Sequence, residues 1–387
     1  MSDVLPVMIY LDNSATTPLD PLVADAMQAY LGEKFGNASS IYSLGREARM
    51  ALEDARSMVA SAIGADPAEI VFTSGGTEAN NYAIKGTIFE EVKKGKRFDE
   101  LLVLTSLAEH HAVLEPVAFL RSLGVNVRRL YVDDAGRVDP KLIDNKNISL
   151  ASFMLVNNEV GTINPIKEIS AITHSSSPGS LVHADAVQGL GKIAIDVREL
   201  GVDLLSLSAH KIHGPKGIGA LFIRRGIKIE PLHHGGSQER NRRGGTESVA
   251  LAVGFGEAVK QMLLHKDESA NHLKDLRNYA LSKLSAMHGI MFNSRVEGVD
   301  GIINISFIPE VLKRLDGEAL LIRFDLEGIA VSNGSACTSG SIQPSHVLMA
   351  MGKGNEVASK SLRISFSRNT KLNEIDRFLE VLSKILT

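Results

Sequence analysis

Residues 204–219 read LLSLSAHKIHGPKGIG, and the first five of them have the apolar character of a buried strand. Lys211 follows that strand almost directly. The end of a buried strand is a rigid support for an active-site lysine, and partial burial would make its amine nucleophilic by lowering its pKa. A surface lysine at the start of a loop is the alternative. The glycines of 214–219 lack the spacing of a nucleotide phosphate loop.

The chain before this stretch alternates short apolar runs with amphipathic ones. The amphipathic runs predict helices over 44–63 and 112–123, and a third helix after the turn at 75–78. This alternation predicts a mostly parallel sheet covered on both faces, with ligands at the carboxyl ends of its strands. The predicted strands are 69–74, 101–105, 125–132, 150–156, 181–184 and 204–208.

The pattern changes after about residue 246. Residues 247–288 predict one or two long amphipathic helices, and the rest mixes strands with helices. Such a mixture is typical of a smaller α+β domain. Its predicted elements are strands at 301–307 and 361–367, a helix at 318–324, and a C-terminal helix from Leu372.

Composition excludes several classes of function. The 387 residues are 44% hydrophobic and 22% charged, with a formal net charge of −3, which gives no reason to expect nucleic-acid binding or a basic membrane face. No uncharged apolar run approaches the ~20 residues that cross a bilayer. Residues 1–10 carry an acidic residue and no basic segment, so they do not predict a signal peptide. A cytoplasmic location is the default expectation.

Cys337 is the single cysteine of the chain. A chain with one cysteine can form neither an internal disulfide nor a multi-cysteine zinc site. The side chain of Cys337 is then either packed in the core or a reactive thiol. Its neighbours in SNGSACTSG (332–340) are small and polar, which favours the reactive thiol.

Small polar clusters follow the predicted strands. Asp185 ends the strand before that of Lys211, and two neighbouring parallel strands can place a carboxylate and a lysine around one flat ring. Pyridoxal phosphate (PLP) requires this pair, a lysine on its aldehyde carbon and a carboxylate on its ring nitrogen. Asp185 as a helix cap and the glycine-rich segments as ordinary turns are the alternatives. The clusters are TSGGTEANN (73–81), Glu109-His110, NNEVGT (157–162), DAVQ (185–188) and SAHKIHGPKGIG (208–219).

At this point the chain resembles the cysteine desulfurases of the NifS/IscS type, within the class V aminotransferases. The resemblance implies the aspartate-aminotransferase-like α/β fold of PLP-dependent transferases. It implies a large domain (15–262) with a mostly parallel seven-stranded sheet, and a smaller α+β domain (1–14 and 263–387) carrying the catalytic cysteine loop. Motifs over nearly the whole length carry it: YLDNSATTP (10–18), 72–81, EHHAVL (109–114), NNEVGT, HADAVQGLGK (183–192), 203–220, HGGSQERNRRGGT (234–246), SNGSACTSG and LRISFS (362–367).

The resemblance also implies roles for individual residues. Lys211 binds the cofactor covalently, His110 stacks on its ring and moves protons, and Cys337 accepts the sulfur. Asp185 pairs with the ring nitrogen and Gln188 with the phenolic oxygen. The residues that hold the phosphate are Thr77, Ser208 and His210, the backbone at Gly76 and Ala209, and Thr246 of a neighbouring subunit. Asn158 and Arg363 bind the substrate, and Arg363 binds the carboxylate of that substrate.

The implied reaction removes sulfur from L-cysteine, leaving L-alanine and a persulfide on Cys337. The implied partners are a sulfur acceptor, such as an iron–sulfur scaffold protein, and a second copy in a homodimer; neither nucleic acid nor membrane is expected. A selenocysteine lyase or another class V aminotransferase activity is the alternative within PLP chemistry. A non-catalytic scaffold protein is a further alternative. The presence of Lys211 and Cys337 argues against it, because such a protein would need neither. A metal protein would have to use His110-His111 and His233-His234, which lack a partner set, so no metal is expected.

Overall fold

The computed structural model describes residues 8–334 and 343–386. Its strands and helices are given in chain order. The first are β1 (Ile9–Tyr10), α1 (Pro21–Leu31), α2 (Ser43–Ser61), β2 (Ile70–Thr73), α3 (Gly76–Lys93), β3 (Leu102–Ser106), α4 (His111–Ser122), β4 (Asn126–Leu130), β5 (Leu150–Met154), α5 (Ile166–Ser176), β6 (Leu181–Asp185), α6 (Val197–Leu200), β7 (Leu204–Ser208) and β8 (Gly219–Ile223). The remainder are α7 (Gln238–Asn241), α8 (Val249–Leu264), α9 (Lys266–Ser285), β9 (Ile290–Phe292), β10 (Ile302–Phe307), α10 (Pro309–Leu312), α11 (Gly317–Leu326), β11 (Ile329–Ala330), α12 (His346–Ala350), α13 (Asn355–Ser359), β12 (Leu362–Ser365) and α14 (Leu372–Leu386).

The larger sheet has seven strands in the order β2-β8-β7-β6-β5-β3-β4. All neighbours are parallel except β8, which runs antiparallel to both β2 and β7. The predicted mostly parallel seven-stranded sheet is confirmed. Each predicted strand is present within a few residues, but the reversed strand β8 was not predicted. The carboxyl ends of β2, β3, β5, β6 and β7 meet at one edge, where ligands bind in such sheets.

Gly219 allows three backbone segments to meet at that edge. A Cβ on Gly219 would lie 2.5 Å from the carbonyl oxygen of Leu207 and 2.7 Å from the carbonyl carbon of Gly75. Both distances are shorter than van der Waals contact permits. The glycine therefore brings β8 close to β7 and to the turn that opens α3.

Helices cover both faces of this sheet. Helices α1, α2 and α8 pack together and supply Val23, Leu52 and Phe255 to the apolar cluster on one face. Helices α3 and α4 pack on the other face, where Ile84 and Val117 belong to a second cluster. A sheet buried on both sides accounts for the continuous apolar runs of its strands.

A second sheet lies in the C-terminal part, with β10 between β12 and β9 in antiparallel pairs. The apolar cluster around it includes Leu276 of α9, Phe324 of α11 and Phe378 of α14, and also Leu11 from the start of the chain. The stretch predicted as one or two long helices forms α8 and α9. The exact boundaries 15–262, 1–14 and 263–387 stay a prediction. None of the described helices is long and apolar enough to span a membrane.

The short segment α7 has a backbone that a regular helix would not adopt. Glu239, Arg240 and Asn241 have φ angles of 45°, 57° and 63°, which cost free energy for residues other than glycine. Glu239 is held by two hydrogen bonds from the buried Arg56 guanidinium, of 2.6 and 2.8 Å, and by a 3.0 Å hydrogen bond from the Phe72 N–H. This buried ion pair holds the left-handed run against α2 and β2.

We expect Glu239→Gln to lower the free energy of unfolding by about 3 kcal/mol, because it removes the buried counter-charge of Arg56 and leaves only the partly exposed Glu53 carboxylate. Chemical or thermal denaturation measures the loss. Asp99→Asn is the matched control, since Asp99 pairs with Arg97 where both side chains are more than half exposed, and an exposed pair contributes less than about 1 kcal/mol. Equal losses in the two variants would contradict the assignment.

Candidate active site

A cavity of about 610 Å³ opens at the carboxyl edge of the larger sheet. Residues of both sheets line it, together with the segment that follows β11 and the N-terminal segment that follows β1. The site residues predicted from the sequence that line it are Gly76, Thr77, His110, Asn158, Asp185, Gln188, Ser208, His210, Lys211 and Arg363.

Lys211 ends a single 3₁₀ turn, Ala209–Lys211, that follows β7. Its ammonium donates hydrogen bonds to the carbonyl oxygens of Ser14 (2.5 Å) and Ala15 (2.8 Å). Burial, followed by repulsion from Lys192 and Arg363, lowers the pKa of Lys211 to about 7. Near neutral pH a large fraction of this amine is therefore unprotonated and can act as a nucleophile or base.

Asp185 is the last residue of β6, and only 5% of it is exposed. One carboxylate oxygen accepts a 2.7 Å hydrogen bond from the Asn80 amide, and the other accepts the Val187 N–H at 3.0 Å. The second bond caps the turn that follows β6, where the alternative was a helix cap. The side chain also lines the cavity, however, so the cap does not exclude the predicted role. Asn80 was quoted within a motif but was not predicted as a site residue.

His110 is the N-cap of α4, and its Nδ1 accepts the Ala112 N–H at 3.0 Å. Burial lowers the pKa of this imidazole, which favours the neutral ring. A neutral ring that accepts at Nδ1 carries its proton on Nε2. His110 therefore presents a donor to the cavity and has a fixed tautomer.

Gly76 begins α3, a helix of 18 residues, and lies beside Thr77, Ser208 and His210 in the cavity lining. A Cβ on Gly76 would approach Val187 Cγ2 to 2.6 Å, so the close packing requires glycine. A helix N-terminus with hydroxyl and imidazole donors around it is suited to a phosphate. Burial, then the neighbouring lysines, lowers the pKa of His210 to about 4.

Ala209, also predicted to hold the phosphate through its backbone, is not brought into the cavity lining. It is fully buried, and its N–H donates to the carbonyl oxygen of Ile218 at 3.2 Å. This backbone bond joins the turn after β7 to the start of β8.

Arg363 of β12 reaches the cavity from the smaller sheet. Its guanidinium donates to the Asp12 carboxylate at 2.6 Å and to the carbonyl oxygen of Asn158 at 3.0 Å. Its Nε is buried and has no hydrogen-bond partner among residues 8–334 and 343–386. Arginine is suited to bidentate recognition of a carboxylate. Asp12 was not predicted, and its contact spans 351 positions of sequence, beyond the reach of any local pattern.

Thr246, predicted to reach the phosphate of a neighbouring subunit, lies away from this cavity. Thr246 lines a separate cavity of about 210 Å³ with Ser74 and Gly245, and the two cavities share no lining residue. Cys337 lies outside the residues that the structure describes. The described residues just before its segment, Ser332, Asn333 and Gly334, line the large cavity.

The size of the cavity and the residues that line it fit PLP. The space is sufficient for a small cofactor with a substrate, since ligand pockets start at roughly 300 Å³. The helix N-terminus at Gly76 is suited to the phosphate, the Asp185 carboxylate to the ring nitrogen, and the amine of Lys211 to the aldehyde. The unpartnered Nε of Arg363 leaves a donor for the carboxylate of a substrate.

Known proteins are similar to this chain in both sequence and fold. The family described as "Aminotransferase class-V" matches residues 9–378. A cysteine desulfurase IscS of Dictyoglomus turgidum is 47% identical, with 98% of this chain and 94% of the relative covered. A cysteine desulfurase IscS of Methanosarcina thermophila is 44% identical, with 98% and 92% covered. The solved structure of a "NIFS-LIKE PROTEIN" superposes with a TM-score of 0.89 at 37% identity, covering 98% of this chain and 99% of that one.

The family match covers residues 9–378, and the alignments with both relatives cover 98% of the chain. The chain therefore belongs to the class-V aminotransferase family, within the group of the cysteine desulfurases.

Proposed function

We propose that this protein is a PLP-dependent cysteine desulfurase, which converts L-cysteine to L-alanine and retains the sulfur as a persulfide on Cys337. The observation that carries the proposal is the convergence of Lys211, Asp185 and Arg363 on one cavity. These three groups meet the needs of the cofactor's aldehyde, its ring nitrogen and an amino-acid carboxylate, respectively.

When bound, the cofactor supplies an electron sink for charge that develops at the substrate's α-carbon. Lys211 would hold it through its side-chain amine. Asp185, oriented by the Asn80 amide and the Val187 N–H, would pair with the ring nitrogen. Gly76, Thr77, Ser208 and His210 hold the phosphate, and Gln188 donates to the phenolic oxygen.

Lys211 and His110 move the protons. Once displaced, the Lys211 amine takes the proton from the substrate's α-carbon, and its pKa of about 7 suits a base that must also return a proton at neutral pH. His110 would contact the cofactor's ring, with its proton on Nε2 because the Ala112 N–H occupies Nδ1. A neutral imidazole in this position donates without adding positive charge.

Arg363 and Asn158 select the substrate. The Arg363 guanidinium is already oriented by Asp12 and by the Asn158 carbonyl, so little side-chain entropy is lost when a carboxylate binds. This arrangement favours an α-amino acid over an amine that lacks a carboxylate.

Cys337 accepts the sulfur. As a thiolate it attacks the sulfur of the substrate, and a sulfur–sulfur bond forms while the carbon–sulfur bond breaks. The electron pair of the broken bond stays with the β-carbon, which takes up a proton and leaves as the methyl group of alanine. The persulfide then passes to an acceptor protein, such as an iron–sulfur scaffold, or to another thio-cofactor pathway in the cytoplasm.

An absorption spectrum of the purified protein, followed by a sulfide-release assay with L-cysteine and a reductant, tests the proposal. A yellow chromophore and release of alanine and sulfide in equal amounts are expected. A protein that binds PLP but releases no sulfide from L-cysteine would reject the desulfurase and leave another class V activity.

We further propose a homodimer with shared sites, in which Thr246 completes the phosphate site of the partner subunit. Support comes from the position of Thr246 outside the cavity of its own chain, beside the start of α8. The close approach of Gly235 and Gly244, whose added Cβ atoms would meet backbone, keeps this segment compact. The division into domains at 15–262, with 1–14 and 263–387 as the smaller one, belongs to the same proposal.

Mixing inactive Lys211→Ala subunits with inactive Thr246→Arg subunits should restore activity. In each heterodimer one site combines an intact Lys211 with an intact Thr246, so about half of the wild-type activity per dimer is expected. Subunit exchange is verified with two affinity tags, and sulfide release is measured on the doubly tagged fraction.

The matched control for this mixture is Lys211→Ala with Asp185→Ala. Lys211 and Asp185 line the same cavity of one chain, so both sites of that heterodimer stay damaged. Restored activity in the control, or verified Lys211→Ala/Thr246→Arg heterodimers that stay inactive, would contradict the shared site.

A further inference from the structure

A second cavity, of about 360 Å³, lies against the active-site cavity and shares Lys211 with it. Lys192 also lines this second cavity, but it does not line the first. The reaction proposed above gives Lys192 no part. Burying a lysine beside another lysine costs free energy, which raises the question of what this side chain does in the site.

Lys192 donates a 2.9 Å hydrogen bond to the side-chain oxygen of Gln188. A lysine ammonium has donors and no acceptor, so it can pair only with the carbonyl end of an amide. The amide's NH₂ end must then point the other way, and it donates to the Ser14 carbonyl oxygen at 2.7 Å. The same carbonyl accepts from Lys211. Lys192, Gln188, Ser14 and Lys211 thus form one connected polar chain.

Titratable or charged groups surround both lysines. Lys211 is faced by Lys192, Arg363 and His210, and by the opposing carboxylates of Asp12 and Asp185. Lys192 is faced by Lys211, His210 and His213. Burial lowers the pKa of Lys192 to about 8, so it remains largely protonated at neutral pH.

We propose that Lys192 is a positioning residue, which holds Gln188 with its NH₂ end toward the cofactor's phenolic oxygen and sets the positive charge beside Lys211. The inference rests on the proposed function, in which Gln188 contacts that oxygen. Without Lys192 only the Ser14 carbonyl oxygen, among the residues that the structure describes, orients the Gln188 amide. A turned amide would place its carbonyl end toward the phenolic oxygen, where two acceptors repel each other.

Lys192→Met removes the charge and the donor at similar length. Its expected effect is an upward shift, by about one pH unit, in the midpoint of the pH-dependent absorbance of the PLP-loaded protein. The sign follows because the protonated cofactor–lysine linkage is positively charged, and Lys192⁺ repels it. Loss of the Gln188 donor from the phenolic oxygen shifts the midpoint in the same direction. Lys192→Arg keeps the charge and the donors and should hold the wild-type midpoint.

A purely structural role would give a different result. Lys360, also partly buried and bonded to the Leu312 carbonyl at 2.7 Å, is the matched control, and Lys360→Met should lower stability without moving the midpoint. The inference is overturned if Lys192→Met keeps the wild-type midpoint, or if Lys192→Arg shifts as far as Lys192→Met. Should Lys192→Met not fold, Lys192→Gln is titrated instead, and its midpoint must still rise. A wild-type protein with no lysine-bound cofactor would instead reject the proposed function.

Discussion

Lys211→Ala should abolish the yellow absorbance that borohydride reduction traps on the wild-type protein, and should lower the rate of sulfide release by about a thousandfold or more. Both effects follow from one side chain, because the amine that holds the cofactor is also the base at the substrate's α-carbon. Spectroscopy and peptide mapping of the reduced protein measure the first effect. The sulfide-release assay measures the second.

Lys216→Ala is the control, since Lys216 is an exposed lysine of the same GPKGIG stretch and does not line the active-site cavity. It should retain both the absorbance and the rate. A reduced adduct that maps to Lys192, the neighbouring partly buried lysine, would reject the assignment of Lys211.

The same prediction has a pH dependence. An aldehyde reacts with the unprotonated amine, so the rate at which the apoprotein takes up PLP should rise with pH through about 7 and then level off, following the pKa of Lys211. A lysine at its ordinary value of 10.5 would give a rate that keeps rising far into the alkaline range. Stopped-flow absorbance on the apoprotein separates the two.

The positions of Lys211 and Asp185 could be predicted because each depends on a local pattern. One short strand ends at Asp185, the next ends three residues before Lys211, and neighbouring parallel strands bring their ends together. The register pairs Asp185 with Ser206, so the carboxylate lies next to the strand that leads to Lys211. Local strand patterns and the rules for parallel sheets together fix this part of the site.

Other parts depend on contacts that no local pattern contains. Asp12 meets Arg363 across 351 positions, and Arg56 meets Glu239 across 183. The left-handed backbone at Glu239 opposes the local preference of that residue and persists because the Arg56 pair outweighs it. The direction of strand β8 likewise depends on the strands beside it, because an apolar run in the sequence does not reveal which way its strand runs.

Cys337→Ser should retain the bound cofactor and respond spectrally to L-cysteine, yet form no persulfide and lose about a hundredfold or more in sulfide release. The thiol is replaced by a hydroxyl of similar size. An alcohol is not ionised near neutral pH and does not attack a thiol sulfur, whereas a cysteine with a pKa near 8.5 supplies some thiolate. The chain has a single cysteine, so one thiol-specific label reports on this position alone.

Ser339→Ala, in the same SNGSACTSG segment, is the matched control and should form persulfide as the wild type does. Mass spectrometry after one turnover should find one added sulfur per wild-type chain and none on Cys337→Ser. Release of alanine and sulfide by Cys337→Ser at the wild-type rate would mean that sulfur leaves the substrate directly. The protein would then be a lyase, and Cys337 would have no part in the transfer, because a serine cannot carry the sulfur in its place.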